Sequence, residues 1–288
     1  MIQTLINTGW DDYEFLDSGN GQKFERFGIY KLIRPEPQCL WSPSLPKTAW
    51  EKADAVFTRI SEDKGTWKTN MPDKWEMRYK DISFFCKLTP FKHTGVFPEQ
   101  SIHWDWIQNL IIKAKKEINV LNLFGYTGIA SLIAAATGAK VTHIDASYPA
   151  IGWGRENQTL SGLPDKPIKW ILDDVMKFVT REIKRGVRYD GIIMDPPKYG
   201  HGPKGERWHF EHDFPKLIDI CKELLTPYPL FLLVNAYAIS SSSIMLQNVL
   251  SEKLADLQGN VESGELLLQE SISKRLLSTG IYGHWSKS

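Results

Sequence analysis

The chain predicts an α/β fold in which a mostly parallel sheet carries helices on both faces, preceded by a small α+β domain. Three observations point there. Strand and helix signals alternate from residue 101 onward, with strands expected at 119–124, 140–145, 169–172, 190–194 and 229–234. The first of these strands runs into Gly125-Tyr126-Thr127-Gly128 and then a helical pattern, an order that lets backbone approach a nucleotide-type ligand. The residues before 94 differ in texture, with hairpin signals and a cluster of prolines at 35, 37, 43 and 46.

Taken in order, Asp17-Ser18-Gly19-Asn20-Gly21 is a turn signal between strands at 13–16 and 23–27. Residues 29–33 alternate as a third strand, and the prolines then mark an irregular stretch. A short helix is expected over 48–57, followed by strands near 75–79 and 82–88. This is a small strand–strand–helix–strand–strand unit that Trp41, Trp50, Trp67 and Trp75 pack. Thr94-Gly95-Val96-Phe97-Pro98-Glu99-Gln100 is the joint, dividing the chain into 1–93 and 94–288. Ser101 suits the N-cap of a helix through Ile102, Trp106, Leu110 and Ile111. Farther on, Pro149 fits the start of a helix. Asp173 or Asp174 caps another, which Gly186 ends. Serines 240–243 lead into one more helix. Runs at 265–269 and 280–285 suit an antiparallel hairpin at the sheet edge. There is no internal repeat.

Composition excludes some classes of protein. Thirty-five Lys and Arg against 34 Asp and Glu leave a net charge of +1, so no polybasic nucleic-acid binder is announced. Cys39, Cys86 and Cys221 are far apart and fit neither a metal spacing nor a CxxC motif. They are expected as buried structural thiols in a reducing compartment, and no metal site is expected. Met1-Ile2-Gln3-Thr4 shows no basic segment leading into an apolar run, and no stretch approaches a membrane span. A cytoplasmic protein without membrane partners is expected, either monomer or homodimer.

The chemistry-bearing residues fall at strand ends. Gly125 and Gly128 leave room for a ligand, and Thr127 with the amides after it can donate to one; tight packing is the plainer reading of the two glycines. Asp145 ends the second strand, ahead of Ala146 and Ser147, where an acid can accept both ribose hydroxyls of an adenosine. A carboxylate resting on a helix dipole is the alternative there. His143 is read as a packing residue of that strand. Asp173-Asp174-Val175 follows the third strand. One acid can accept from an adenine amine while the other caps the helix, and which does which stays open. Asp195-Pro196-Pro197-Lys198-Tyr199 follows the fourth strand. Two prolines cannot continue a central strand, so a rigid turn presents the Asp195 carboxylate, able to orient or deprotonate a nucleophilic nitrogen. A structural Asp-Pro turn is the bland alternative. Residues 200–208 form a mobile-looking basic loop that suits a substrate lid.

Together these residues resemble a class I S-adenosylmethionine-dependent methyltransferase. Asn122-Leu123-Phe124-Gly125-Tyr126-Thr127-Gly128, with the upstream run 94–100, is similar to the bacterial 23S ribosomal RNA large-subunit methyltransferase group, over roughly residues 90–285. The resemblance implies a Rossmann-like seven-stranded sheet of order 3-2-1-4-5-7-6 with S-adenosylmethionine at the strand ends. Phe97 and Gln100 would border the cofactor. Phe124, Gly125, Tyr126 and Thr127, framed by Asn122 and Gly128, would line its methionine end. Asp145, with Ala146 and Ser147, would hold the ribose, and Asp174 or Asp173, with Val175, the adenine. Asp195, which also touches the cofactor in this scheme, would face the methyl acceptor with Pro196, Pro197, Lys198 and Tyr199. The N-terminal unit resembles the small domain ahead of the catalytic domain in that group, whose PUA module is expected to be lacking.

Where that family carries a catalytic cysteine for covalent C5 methylation, this sequence has Asn235-Ala236-Tyr237 and Lys198-Tyr199. Cys221 falls inside a helix. Direct transfer to nitrogen or oxygen is therefore expected, with Tyr199 or Trp208 stacking on the acceptor ring. RNA, ribosomal first, leads the acceptors, ahead of a protein and a small molecule. A non-catalytic module that binds the cofactor or RNA is the non-enzymatic alternative. A nicotinamide-dependent dehydrogenase is disfavoured because the turn lacks a third glycine.

Overall fold

Hairpin chemistry builds the N-terminal region of the computed structural model, which describes residues 3–61, 64–237 and 239–287. Met1 and Ile2, on which the leader reading partly rests, lie outside the described residues. After β1 (Gln3–Ile6), β2 (Tyr13–Gly19) and β3 (Gln22–Phe27) pair antiparallel about Asn20 and Gly21. Both turn residues have positive φ, 51° and 75°, as a two-residue hairpin turn requires. The turn is thus shorter than the sequence suggested. Asp17, Ser18 and Gly19 belong to β2, because the buried Asp17 carboxylate accepts from Ser44 N, Leu45 N and Trp50 Nε1.

β4 (Tyr30–Pro35), α1 (Lys47–Trp50), β5 (Ala55–Arg59) and β6 (Gly65–Thr69) follow. The five strands form one sheet in order β2-β3-β4-β5-β6, and β7 (Lys74–Tyr79) pairs separately with β8 (Ile82–Lys87). The helix expected over 48–57 is a single turn. Ala55 to Arg59 run as a strand instead, with Ala55 and Phe57 buried and Leu32 paired to Ala55 in parallel. The unit therefore has more strands than strand–strand–helix–strand–strand. Trp75 and Trp10 are buried, while Trp41, Trp50 and Trp67 are half-buried with their indole N–H groups bonded to Ser18 Oγ, Asp17 Oδ2 and Thr89 O.

A short 3-10 turn, Pro98–Gln100, leads into α2 (Ser101–Ala114), of which Ser101 is the first residue rather than the cap. From there the alternation expected from sequence is present. β9 (Asn119–Leu123), α3 (Ile129–Ala136), β10 (Lys140–Asp145), α4 (Tyr148–Leu160), β11 (Ile168–Leu172), α5 (Val175–Lys184) and β12 (Gly191–Met194) come first. A small hairpin of β13 (Tyr199–His201) and β14 (Arg207–His209) precedes α6 (Phe210–Leu224), β15 (Phe231–Ala236) and α7 (Ser243–Lys253). β16 (Asn260–Gln269) and β17 (Leu276–Ser286) close the chain and are longer than expected.

The large sheet has the order β1-β16-β17-β15-β12-β9-β10-β11. Read from the β11 edge and numbered from β9, this is 3-2-1-4-5-7-6, with β1 added as an eighth strand. The β9–β10, β10–β11, β9–β12 and β12–β15 pairs are parallel, and β15–β17 is antiparallel. Side chains alternate between faces with the period of two that a pleated strand imposes. Leu121, Ile192 and Leu232 enter the cluster with Phe178 of α5, Phe214 of α6 and Leu246 of α7. Val120, Ile193 and Leu233 enter the opposite cluster with Ile107 of α2 and Ala134 of α3. The chain order reverses between β9 and β12, and the crevice outside such a reversal is where open α/β sheets bind ligands.

By contacts the chain divides into Ile6–Ser101 with Leu267–Ser278, and Met1–Leu5 with Ile102–Leu266 and Thr279–Ser288. This is not a single cut at residue 93. The segment 267–278 joins the first unit because Ser271 N donates to Phe15 O and the buried Glu270 accepts from Ser18 Oγ. Among the described residues no helix is long and apolar enough to cross a membrane, and no group of three or more His, Cys, Asp or Glu is placed to hold a metal ion.

The first unit has a charged core. Glu25, fully buried, accepts two 2.8 Å bonds from Arg34 and one of 2.9 Å from Tyr13 Oη, with Lys23 Nζ at 3.5 Å. Burial by itself raises this carboxyl, but Arg34 and then Lys23 hold it down at about 2. Its folded pKa lies below the ordinary value, so the stability it contributes is complete above about pH 5 and is lost as the pH falls toward 2, roughly 3 kcal/mol in all. Urea-unfolding midpoints measured across that range will show this acid limb in the native chain. Glu25→Gln will be less stable at pH 7, by about 3–5 kcal/mol for the stranded Arg34 charge, and will show a flatter limb.

Candidate functional site

The backbone after β9 turns tightly to reach α3, and two non-glycine residues adopt left-handed conformations in doing so. Phe124 has φ 56° and Tyr126 φ 52°, followed by Gly128 at 82° in the N-cap position. Such conformations cost about 1 kcal/mol or more each for residues with a Cβ. Several hydrogen bonds hold them. Gly125 N donates to Ile144 O at 3.0 Å, and Gly128 N to Gly125 O at 3.0 Å. Tyr126 N donates to Asp145 Oδ2 at 2.8 Å, and Asn157 Nδ2 to Thr127 O at 3.1 Å. Phe124 packs against Trp208, with ring centroids 5.0 Å apart, and Tyr126 against Trp153 at 6.0 Å.

The turn rests on protein rather than on open space. A Cβ on Gly125 would lie 2.3 Å from the His143 ring, and one on Gly128 would lie 2.4 Å from the Trp170 ring. Gly154 of α4 approaches the same indole equally closely. These glycines therefore let the turn and α4 settle onto two rings from β10 and β11, the tight packing that is the plainer reading of them. Beneath the turn, Asn122 Nδ2 donates to Ser131 Oγ at 2.9 Å, and Ser131 Oγ meets His143 Nδ1 at 3.0 Å. His143 lies 4.4 Å from Trp170, whose Nε1 donates to Gln158 Oε1. Burial pushes His143 down to about 3, against a weaker pull from the Tyr126 backbone, so the imidazole is neutral.

The acids of the next two strand ends sit side by side, since Asp173 N donates to Asp145 O at 3.1 Å. Asp145 Oδ2 takes the Tyr126 amide and Oδ1 the Ser147 amide at 2.8 Å, so one carboxylate fixes both the glycine turn and the approach to α4. Burial raises its pKa against these backbone donors. Ser147 caps α4 by accepting from Ala150 N, and Pro149 occupies its first turn. Ala146 is half-buried between them. Asp174 is the α5 cap, accepting from Lys177 N at 2.9 Å, whereas Asp173 pairs with Arg181. Gly186, at φ 70°, follows the α5 C-cap as expected. Val175 has its side chain in the apolar core.

Asp195 leaves β12 beside the glycine turn, its amide donating to Leu123 O at 3.3 Å. Pro196 is buried and Pro197 exposed. The residues after them are not a loose loop. Tyr199 pairs with His209 and His201 with Arg207 in the β13–β14 hairpin, Phe210 N donates to Lys198 O at 3.0 Å, and Glu206 bonds Lys177 of α5. Trp208 is buried and donates its Nε1 to Pro197 O at 2.7 Å. It therefore cannot stack on a substrate ring, whereas Tyr199 is 59% exposed. Phe97 and Gln100 belong to the other unit, where Gln100 N donates to Phe97 O and His93 packs on the Phe97 ring. All three cysteines are free and buried. Burial pushes the Cys221 and Cys86 thiols well up, and Cys39 to about 11, so none is a nucleophile near neutral pH.

The profile of a family described as S-adenosylmethionine-dependent methyltransferase matches residues 56–256 of this chain. The chain belongs to that family. Its cofactor is S-adenosylmethionine. The crystal structure of the SAM-dependent methyltransferase from Agrobacterium tumefaciens is similar at a TM-score of 0.97 and 43% identity, over 99% of this chain and 94% of that one. A SAM-dependent methyltransferase candidate from Streptococcus mutans shares the fold, at a TM-score of 0.72 and 16% identity, over 96% of this chain and 76% of its own. Ribosomal RNA large subunit methyltransferase K/L from Shewanella frigidimarina is 31% identical over 184 residues, which are 58% of this chain and 25% of that protein. This methyltransferase thus spans about a quarter of the length of that curated relative.

The residues present fit an adenosine-bearing cofactor. A carboxylate offers about four acceptor sites, and the backbone takes only some of those on Asp145. The glycine turn, Asp145, the Asp173–Asp174 pair and Asp195 all meet the same sheet edge. Sequence reading missed the residues that support the glycine turn, namely Ser131, Asn157, Gln158 and Trp170. Their only local signal is the repeated use of small residues opposite large rings. Gly125→Ala will lower affinity for S-adenosylhomocysteine roughly tenfold and cost about 2 kcal/mol of stability, as overpacking does. Calorimetry and urea unfolding check this, and Gly125→Ala/His143→Ala will regain part of the lost affinity because the obstructing ring is gone.

Proposed function

We propose that this methyltransferase moves the sulfonium methyl group directly to a nitrogen or oxygen of a nucleobase in RNA, ribosomal RNA being the first candidate, in the cytoplasm. The observation that carries the reading is the bond from Asp195 N to Leu123 O, which brings the carboxylate-bearing turn out beside the glycine turn at the chain reversal of the sheet. The ribosomal RNA methyltransferase name of the Shewanella relative supports RNA as acceptor, and the three buried free thiols suit a reducing compartment.

S-adenosylmethionine supplies an electrophilic methyl carbon, so the protein's task is alignment and proton removal. In this reading Phe124, Gly125, Tyr126 and Thr127 face the methionine end, Asp145 with Ser147 the ribose, and the Asp173–Asp174 pair the adenine. Asp195 accepts the N–H or O–H of the acceptor atom, orients its lone pair, and takes the proton as the new C–N or C–O bond forms and the old C–S bond breaks. The Pro197 carbonyl accepts from Trp208 Nε1, a bond that holds the turn on which Asp195 sits. Tyr199, exposed beside Lys198, offers a ring on which a base of the RNA can stack. With every cysteine buried, the transfer proceeds without a covalent base adduct.

Asp195→Ala will reduce methyl transfer about 100-fold or more while S-adenosylhomocysteine affinity changes less than about threefold. Single-turnover assays and calorimetry read the two separately, and an unchanged rate would remove Asp195 from the chemistry. Mass spectrometry of ribosomal RNA nucleosides from cells with and without the protein is expected to show one methylated nucleoside that depends on it. Identical nucleoside pools would reject ribosomal RNA as the acceptor.

A further inference from the structure

The hairpin that follows the Asp195 turn has two unlike faces. Its register pairs Tyr199 with His209, Gly200 with Trp208, and His201 with Arg207. Successive side chains of a strand point to opposite faces. The Gly200–Trp208 pair turns inward, with Trp208 buried against Phe124 and bonded to Pro197. Tyr199, His201, Arg207 and His209 are all exposed. The Tyr199 and His209 rings meet edge to face at 4.7 Å, and the Lys198 ammonium lies 5.5 Å from the Tyr199 ring.

The hairpin's one carboxylate does not share that outer face. Glu206 bonds Lys177 of α5 and the amide of Lys204. Beyond the hairpin, Glu211 is taken up by His209 at 3.0 Å. The side chains of His201, Lys204 and Arg207 make no hydrogen bond or ion pair with any described residue. The outer face thus presents rings and cations, four residues beyond Asp195, on a scaffold rooted by Trp208. A ring platform next to unpaired cations matches single-stranded nucleic acid, in which bases stack and phosphates need neutralising.

Resting on the RNA reading above, we propose that the outer face of the β13–β14 hairpin docks the unpaired RNA nucleotides flanking the acceptor base, with Tyr199 stacking on a base and Arg207 and Lys204 contacting phosphates. The test uses the full chain and a fluorescent, unstructured RNA oligonucleotide, with anisotropy titrations at several salt concentrations. Lys204→Ala/Arg207→Ala will weaken RNA binding about tenfold at low salt and reduce the slope of log affinity against log salt by about 1.4, the contribution of two phosphate contacts on a single strand. Arg207→Glu will weaken it further, and S-adenosylhomocysteine affinity by calorimetry will be unchanged in both variants. Tyr199→Ala will weaken RNA binding about fivefold or more with the salt slope unaltered, as loss of stacking does. A wild-type chain that binds S-adenosylhomocysteine but no RNA would overturn the RNA reading and this docking surface together. RNA binding by wild type that the charge variants leave equal in affinity and slope would overturn the hairpin assignment alone.

Discussion

A turn that carried side chains at positions 125 and 128 could not lie where this one does. His143 and Trp170 occupy the volume below it, and only missing Cβ atoms allow contact. Much of the site geometry follows from that contact. The turn is low enough for Tyr126 N to reach Asp145, and the same carboxylate then receives the Ser147 amide at the start of α4. Three elements are fixed to one another through a single side chain. The left-handed backbone of Phe124 and Tyr126 is held by these bonds and by their ring neighbours, Trp208 and Trp153.

The floor is polar where a core is usually apolar, and its histidine is kept neutral by burial. A neutral imidazole can pair through Nδ1 with Ser131, which in turn takes the Asn122 amide. Networks of this kind specify one arrangement more strongly than interchangeable apolar contacts do. A second tie runs through Trp208. By packing on Phe124 and donating to Pro197 it joins the glycine turn to the turn that bears Asp195. The hairpin beyond is thereby rooted at both turns.

Much of the architecture was legible in the residues. The five parallel strands lie within about two residues of their expected positions because each pairs a short apolar run with a turn or cap signal, and such patterns are local. Gly186 and Pro149 fall at helix ends for equally local reasons. The N-terminal region was harder. Residues 55–59 carry a pattern short enough for helix or strand, and pairing with β4 and β6 decided for strand. The return of 267–278 to the first unit depends on partners more than two hundred residues away, such as Ser18 for Glu270, and the length of β17 on its pairing with β15 some fifty residues before it.

The sequence by itself determined the order of strands and helices and the positions of Asp145, Asp173, Asp174 and Asp195 at strand ends. Tertiary structure decided that Asp174 caps α5 while Asp173 pairs with Arg181, that Trp208 is a clamp rather than a stacking platform, and that the glycines serve His143 and Trp170. The reason is physical. Periodicity and capping act between neighbours a few residues apart, so they are written locally. Which ring lies under which turn depends on strand register, and register is set only when distant strands pair.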